Sequence, residues 1–279
     1  STYLCHPSMA NNELSGPIVL AMLYNRIKNW KNRKYTYRFV ITPETIGAIS
    51  YLSDHGEELK KNLHAGFVLT CLGGNVPLRI KLSRRGNSPF DIISKEISSG
   101  SFDSVINNLP TNLRINSYDA SSGSDERQYC SPGFNLPVSQ VARLVYAEYK
   151  EYHNSLDTKE LMGIENLFNS CNQIEAILKL EEEQKYYINL HPFGEVKLGD
   201  YDLYPSLNTN GYKDCDKSNS LKRQINSINN FVGKVMNYLN LADGTVSLHS
   251  ISKMLGCDST EIEKITAILV EKDLISEDL

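Results

Sequence analysis

Short runs of aromatic and β-branched residues alternate with amphipathic segments along most of the chain, and this alternation constrains the fold more than any other feature. The runs that predict strands cover residues 1–5, 36–42, 66–72, 77–82, 113–118 and 137–145. The segments that predict helices cover residues 15–30, 44–54, 56–63, 89–98 and 160–183. Strands that alternate with helices of this length predict a doubly wound α/β sheet.

The composition is that of an ordinary folded protein and excludes several classes. Hydrophobic residues make up 41% of the chain and charged residues 22%, which allows a sizeable core. The net charge of −4 gives no broad attraction to nucleic acid or anionic lipid. No run of ~18 apolar residues predicts a transmembrane helix, so we expect no membrane partner. Six scattered cysteines without CxxC pairing favour a reducing compartment, and we expect a cytoplasmic protein.

The α/β pattern ends near residue 187. Residues 187–220 are rich in Pro, Gly, Asn, Tyr and Asp, which predicts irregular structure and then a linker. Three helical segments follow, at 221–241, 247–255 and 259–272. They predict a winged helix-turn-helix. We therefore predict an α/β domain over residues 1–217 and a small α+β winged-helix domain over residues 218–279.

The predicted winged helix lacks the charge of a typical DNA-binding module. Residues 218–279 contain six Lys and Arg but eight Asp and Glu, whereas such modules normally present a basic face. Only Arg223 supplies the guanidinium that most often reads guanine. We expect nucleic acid not to be a partner and this domain to pack on the core or mediate association, which leaves a homo-oligomer open.

Two polar clusters follow predicted strands directly. His6 lies in the segment CHPS after the first strand, and Glu44 lies in PETIG after the second. Ligands of such sheets bind beyond the carboxyl ends of the strands, so these side chains are expected to converge. His6 either binds a metal or hydrogen-bonds within its loop. Glu44 is either a ligand or general base, or an acidic first-turn residue of the following helix.

Two further clusters lie later in the chain. The segment DERQYCSPGFNLP places Asp125, Glu126 and Arg127 beside a turn; it is either solvated surface or a loop whose arginine holds a substrate carboxylate. The segment EYKEYHNSLD places His153 in an aromatic and acidic setting. Asp157 either orients His153 or caps the next helix.

In this order, the segments CHPSMANNELSG, PETIGAISYL, DERQYCSPGFNLPV and EYHNSLD resemble the zinc aminopeptidase superfamily of leucyl aminopeptidases and glutamate carboxypeptidases. The most similar branch carries a C-terminal winged helix and is associated with surface-polysaccharide gene clusters. The resemblance covers residues 1–205 and implies a mixed sheet of zinc-aminopeptidase type. It also agrees with an expectation from the abrupt first strand, namely that strands preceding STYLCHP are missing.

The resemblance implies two zinc ions held by a histidine, a bridging aspartate, a glutamate, a second aspartate and a final histidine. His6 is similar to the first histidine, His153 to the last, and Glu44 to the acidic segment that supplies ligand and base. The bridging aspartate falls on Asn12 and the second aspartate on Gly74. Two neighbouring cations need anions between them, so the chain is expected to hold one zinc.

The expected centre is one Zn²⁺ held by His6 and His153, with Asn12 at the metal-facing position. One carboxylate completes it, and the candidates are Glu13, Glu44 and Asp125. The expected function is zinc-dependent hydrolysis of a small peptide or amide substrate. In this expected hydrolysis, Glu44 is the catalytic residue, and the substrate-binding residues are Asp125, Glu126 and Arg127. The alternative is a descendant without catalysis that keeps the fold for binding or regulation.

Overall fold

The computed structural model describes residues 1–102, 107–146, 148–205 and 217–278. The chain forms two compact units, Ser1–Glu183 and Gln184–Leu279.

Six short strands organise the first unit. They are β1 (Thr2–Tyr3), β2 (Ile41–Thr42), β3 (Gly66–Leu69), β4 (Arg79–Lys81), β5 (Arg114–Asn116) and β6 (Val138–Ala142). One sheet has the order β3-β6-β4-β5, in which β3 is parallel to β6, β4 is antiparallel to β6, and β5 is parallel to β4. β1 pairs in parallel with β2. Each predicted strand contains one of these, and the larger sheet is mixed.

Five α-helices lie among the described residues of this unit. They are α1 (Ser15–Ile27), α2 (Ile46–Asn62), α3 (Pro89–Ser98), α4 (Glu126–Tyr129) and α5 (Ile164–Glu183). A π-helical turn, Ala10–Leu14, leads into α1. The helices predicted at 44–54 and 56–63 are one helix, α2, because Gly56 does not end it. A Cβ at Gly56 would come 2.2 Å from the ring of Phe134, so the glycine makes room for that ring.

Helices cover both faces of the sheet. Alternate side chains of a strand point to opposite faces: Phe67 and Leu69 of β3 join a core cluster with α1 and α5, whereas Val68 joins a second cluster with α2. β6 repeats this division, with Val141 in the first cluster and Val138 in the second. The predicted doubly wound α/β class is therefore confirmed.

The second unit is built on a three-stranded antiparallel sheet. Its described elements are β7 (Tyr186–Asn189), α6 (Lys217–Ser227), α7 (Phe231–Leu241), β8 (Asp243–Ser247), α8 (Leu248–Met254), α9 (Ser259–Glu271) and β9 (Ile275–Asp278). β7 lies between β8 and β9. Ser247 and Asp258 cap α8 and α9 by accepting hydrogen bonds from the main-chain N–H groups of Ser250 and Glu261. Helices packed on such a sheet form a winged helix, as predicted.

The division between the units differs from the predicted boundary at 217/218. β7 is the central strand of the second sheet, and Tyr187 lies in the second unit's core, so the unit begins at Gln184. The sequence did not predict this strand, because the Pro, Gly and Asn residues of the segment favour irregular structure. The single helix predicted at 221–241 is two helices, separated by Asn230 at φ 53°. Residues 206–216 of the predicted linker lie outside the described residues. No helix described here combines the length and apolar character that crossing a bilayer requires.

Candidate metal centre

His6 lies in the loop after β1, and its ring nitrogens face different groups. Nδ1 is 3.0 Å from Glu13 Oε2, because the π-helical turn directs this acid back toward the loop. Glu13 is only 4% exposed. The Sγ of Cys5 lies 3.4 Å from the same nitrogen, and the three donor atoms lie within 4.8 Å of one another. A carboxylate accepts hydrogen bonds, so Glu13 favours the tautomer in which Nδ1 carries the proton.

The other nitrogen of His6 faces Glu44, and the ring of His153 lies beside the His6 ring. Nε2 is 3.7 Å from Glu44 Oε2, and the His6 and His153 ring centroids are 4.9 Å apart. The structure therefore brings together three residues from distant parts of the sequence. Tyr152 stacks on His153 at 3.9 Å. Partial burial lowers the pKa of His153, and the neighbouring His6 lowers it further, which favours the neutral imidazole that binds metals.

Asp157 joins the two histidine loops. Its carboxylate accepts the main-chain N–H groups of Asn11 at 2.8 Å and Asn12 at 2.9 Å, and it is fully buried. These bonds go to the π-helical turn instead of the next helix or His153, and the Asp157 charge opposes the lowering of the His153 pKa. Because Asp157 follows His153 by four residues, it fixes that loop to the π-helical turn that carries Glu13.

The positions that the resemblance assigns to the two aspartates are neutral here. The side-chain oxygen of Asn12 accepts a hydrogen bond from the Tyr3 hydroxyl at 3.1 Å, and the residue is 1% exposed. A Cβ at Gly74 would come 2.5 Å from Leu144, so there is no room for an aspartate without repacking. Neither position supplies an anion between two cations.

Two of the three predicted substrate-binding residues are buried and already bonded. Glu126 forms an ion pair with Lys81 at 2.7 Å, and its side chain is fully buried. Asp125 accepts the main-chain N–H of Thr45 at 2.7 Å. Burial raises the pKa of Asp125 to about 6, which the Thr45 N–H opposes and the neighbouring Glu44 reinforces. Arg127 is half-buried and donates through Nε to Ser124 O at 3.1 Å.

Three residues at the centre carried no clear sequence signal. Ser124 donates its hydroxyl hydrogen to Glu44 Oε1 at 2.5 Å, but a serine before an acidic pair predicts nothing about a strand end 80 residues away. Cys5 and Tyr152 are each adjacent to a predicted histidine, and that adjacency was the one available signal. Contacts across the fold, rather than local spacing, define these neighbours.

The described residues offer a single zinc two sides of His6: Cys5 and Glu13 lie near Nδ1, and Glu44 lies near Nε2. Glu44 Oε2 lies 3.7 Å from His6 Nε2, so this carboxylate would lie beside a zinc held by that nitrogen, either as a ligand or next to a bound water. A metal-binding histidine usually donates its other N–H to a carboxylate, and Glu13 provides that acceptor. Asp125, the third candidate carboxylate, is directed at Thr45 instead.

Comparison with known proteins agrees with this architecture. A candidate polysaccharide biosynthesis protein with an aminopeptidase-like domain from Clostridium acetobutylicum is 35% identical over 206 residues, which are 73% of this chain and 44% of that protein. A crystal structure of a candidate peptidase from the same organism has a TM-score of 0.63 at 28% identity and covers 99% of this chain and 56% of its own. The chain thus spans about half the length of these relatives.

A more distant structure shares the fold alone. The zinc aminopeptidase BSAP of Bacillus subtilis has a TM-score of 0.50 at 18% identity, over 64% of this chain and 45% of its own. The predicted α/β fold of zinc-aminopeptidase type is confirmed at this level. Residues 185–277 match a model described as a winged helix-turn-helix, which agrees with the second structural unit. Residues 1–184 match the family described as a domain of unknown function (DUF4910), and the chain belongs to that family.

Proposed function

We propose that the chain is a zinc-dependent hydrolase that cleaves a peptide or amide bond with a single metal ion. The observation that carries the proposal is the meeting of His6, Glu44 and His153 at one end of the sheet, with Glu13 behind His6. The names of an aminopeptidase-like relative and of a zinc aminopeptidase with the same fold support the choice of metal and substrate.

His6 Nε2 and His153 are the proposed nitrogen ligands, and the completing carboxylate is one of the candidates named above. Their zinc would lower the pKa of a bound water and polarise a scissile carbonyl. Glu13 holds the His6 ring in the tautomer that leaves Nε2 free. This arrangement needs no anion at Asn12 or Gly74, since those positions matter only when two cations must be kept close together.

Glu44 is the proposed general base. Its Oε2 faces His6 Nε2 while Ser124 holds its Oε1, so one oxygen remains to take a proton from water and pass it to the leaving amine. Arg127 is the remaining candidate for binding an anionic group of the substrate. Its Nε is bonded within its own turn, and it forms no ion pair with the described acidic residues. Asp125 and Glu126 are proposed to support the site rather than contact substrate.

The test combines zinc stoichiometry with hydrolysis of aminoacyl p-nitroanilides by the 279-residue chain. We expect about one zinc per chain, loss of zinc in His6→Ala and His153→Ala, and retained zinc with lost hydrolysis in Glu44→Gln. Absence of zinc binding in the unmodified chain would refute the proposal. Loss of zinc in Glu44→Gln would make Glu44 a ligand instead of the base.

The neutral Asn12 and the filled position at Gly74 favour one second candidate, a binding or regulatory descendant of the aminopeptidase fold. This second candidate predicts that the chain binds zinc but hydrolyses neither aminoacyl substrates nor acylated amino sugars when a panel of both is tested. We also propose a cytoplasmic location, which the free state of the five described cysteines supports. Self-association through the winged helix is left open.

A further inference from the structure

The turn that precedes α4 holds the loop of the proposed base from two points. The Ser124 hydroxyl donates a hydrogen bond to Glu44 Oε1 at 2.5 Å, and Asp125 Oδ1 accepts a hydrogen bond from the main-chain N–H of Thr45 at 2.7 Å. Both supporting residues are buried, with 3% and 0% of their surface exposed. Adjacent residues of one turn therefore fix the side chain of Glu44 and the backbone that follows it.

The backbone at Thr45 needs such support. Its φ is 63° and its ψ is −70°, a conformation that β-branched residues rarely adopt. Such strain persists only where the surroundings hold it. The charge-assisted bond from Thr45 N–H to Asp125 provides a fixed acceptor at this point, and the peptide that it orients follows Glu44 directly.

A buried ion pair anchors the turn from the other side. Lys81, in β4, lies 2.7 Å from Glu126 Oε1 and also donates to the main-chain oxygen of Asp119 at 2.7 Å. Glu126 in turn accepts the main-chain N–H of Ser124 at 2.9 Å. A continuous set of bonds thus runs from the sheet through Glu126 and Ser124 to Glu44.

We propose that Ser124 and Asp125 are positioning residues that hold Glu44 in its reactive orientation. This inference rests on the proposed function, because it takes Glu44 as the base. It assigns these residues to the enzyme's own base loop, whereas the sequence suggested that Asp125 binds substrate. A substrate-binding residue and a positioning residue differ in the kinetic constant they change.

The kinetic test uses Ser124→Ala, with Ser124→Thr as the conservative variant and Ser121→Ala as the matched control. Ser121 is an exposed serine of the same turn whose hydroxyl hydrogen-bonds to the Asp119 carboxylate. We expect Ser124→Ala to lower kcat at least tenfold with unchanged KM and zinc content, and Ser124→Thr to restore much of kcat. Unchanged kcat, or a loss seen only in KM, would overturn the proposal.

A second measurement does not depend on hydrolysis. Hydrogen exchange of the Thr45 amide is compared in the unmodified chain, Asp125→Asn and Asp125→Ala. Asparagine retains an acceptor oxygen, whereas alanine removes it, so exchange should rise about tenfold or more in Asp125→Ala and much less in Asp125→Asn. Unchanged protection of the Thr45 amide in Asp125→Ala would refute the positioning role of Asp125 even if the chain hydrolyses amides. An inactive chain with this exchange pattern would instead refute only the hydrolase proposal.

Discussion

Replacement of Glu13 by Gln tests which nitrogen of His6 binds the metal. The substitution keeps the shape of the side chain and an oxygen that can accept from Nδ1, but it removes the charge. In the structure Glu13 is 4% exposed and its Oε2 is 3.0 Å from Nδ1, so the acceptor side of the hydrogen bond is shielded from water. A charge-assisted bond is roughly twice as strong as a neutral one, so the substitution weakens the support of the imidazole that is proposed to bind the metal.

The expected effect is a ten- to hundredfold weaker zinc affinity, as is typical when such supporting carboxylates are changed. This corresponds to about 1.4–2.7 kcal/mol. Competition against a chromogenic chelator at fixed pH measures the dissociation constant directly. His6→Ala defines the value for a lost ligand, and thermal unfolding without metal shows whether each variant is folded.

Cys5→Ser is the matched comparison, since Cys5 Sγ lies 3.4 Å from the same Nδ1. If zinc binds on the Nε2 side, this variant should bind zinc within about threefold of the unmodified chain, because Cys5 is then not a ligand. If Glu13→Gln and Cys5→Ser both fall to the level of His6→Ala, the metal is held by Cys5, His6 and Glu13, and the Nε2 assignment is wrong. Unchanged affinity in Glu13→Gln would refute the orienting role.

Three other predictions concern stability and nucleic acid. Gly16→Ala should cost about 1–3 kcal/mol in chemical denaturation, because its Cβ would come 2.6 Å from Leu69 O, whereas Gly133→Ala, with open space around it, should be nearly neutral. Lys81→Met should cost about 3–5 kcal/mol by leaving Glu126 buried without a counter-ion, and adding Glu126→Leu should recover much of that loss. The isolated region 185–277 should show no salt-dependent shift of a DNA duplex, given its acidic balance.

The elements with strong local signals were predictable from the sequence. Ser88 followed by Pro89 and Asp91 specifies the start of α3, where a complete capping box forms. The apolar run 66–72 contains β3 because its side chains serve both faces of the sheet. Four-residue β7 was not predicted, since its pairing with β8 and β9 depends on residues more than 50 positions away.

The candidate site divides in the same way. His6 and Glu44 follow strands directly, so strand topology alone predicts that they meet. The environment of Asp125 and Glu126 was not predictable, because Lys81 and Thr45, which bond to them, lie in other elements. A segment rich in charge is usually solvated surface, and only the fold reveals that these two acids are buried and bonded.

The position of one acid supports a single metal ion. The resemblance places an aspartate at position 12, where the chain has Asn12 and carries its acid at Glu13 instead. In the π-helical turn these neighbours face different groups: Asn12 contacts Tyr3, and Glu13 contacts His6 Nδ1. A shift of one residue therefore moves the negative charge from between two cations to behind one ligand. There it cannot offset repulsion between two metals, but it would strengthen the imidazole of His6 as the ligand of the one proposed metal.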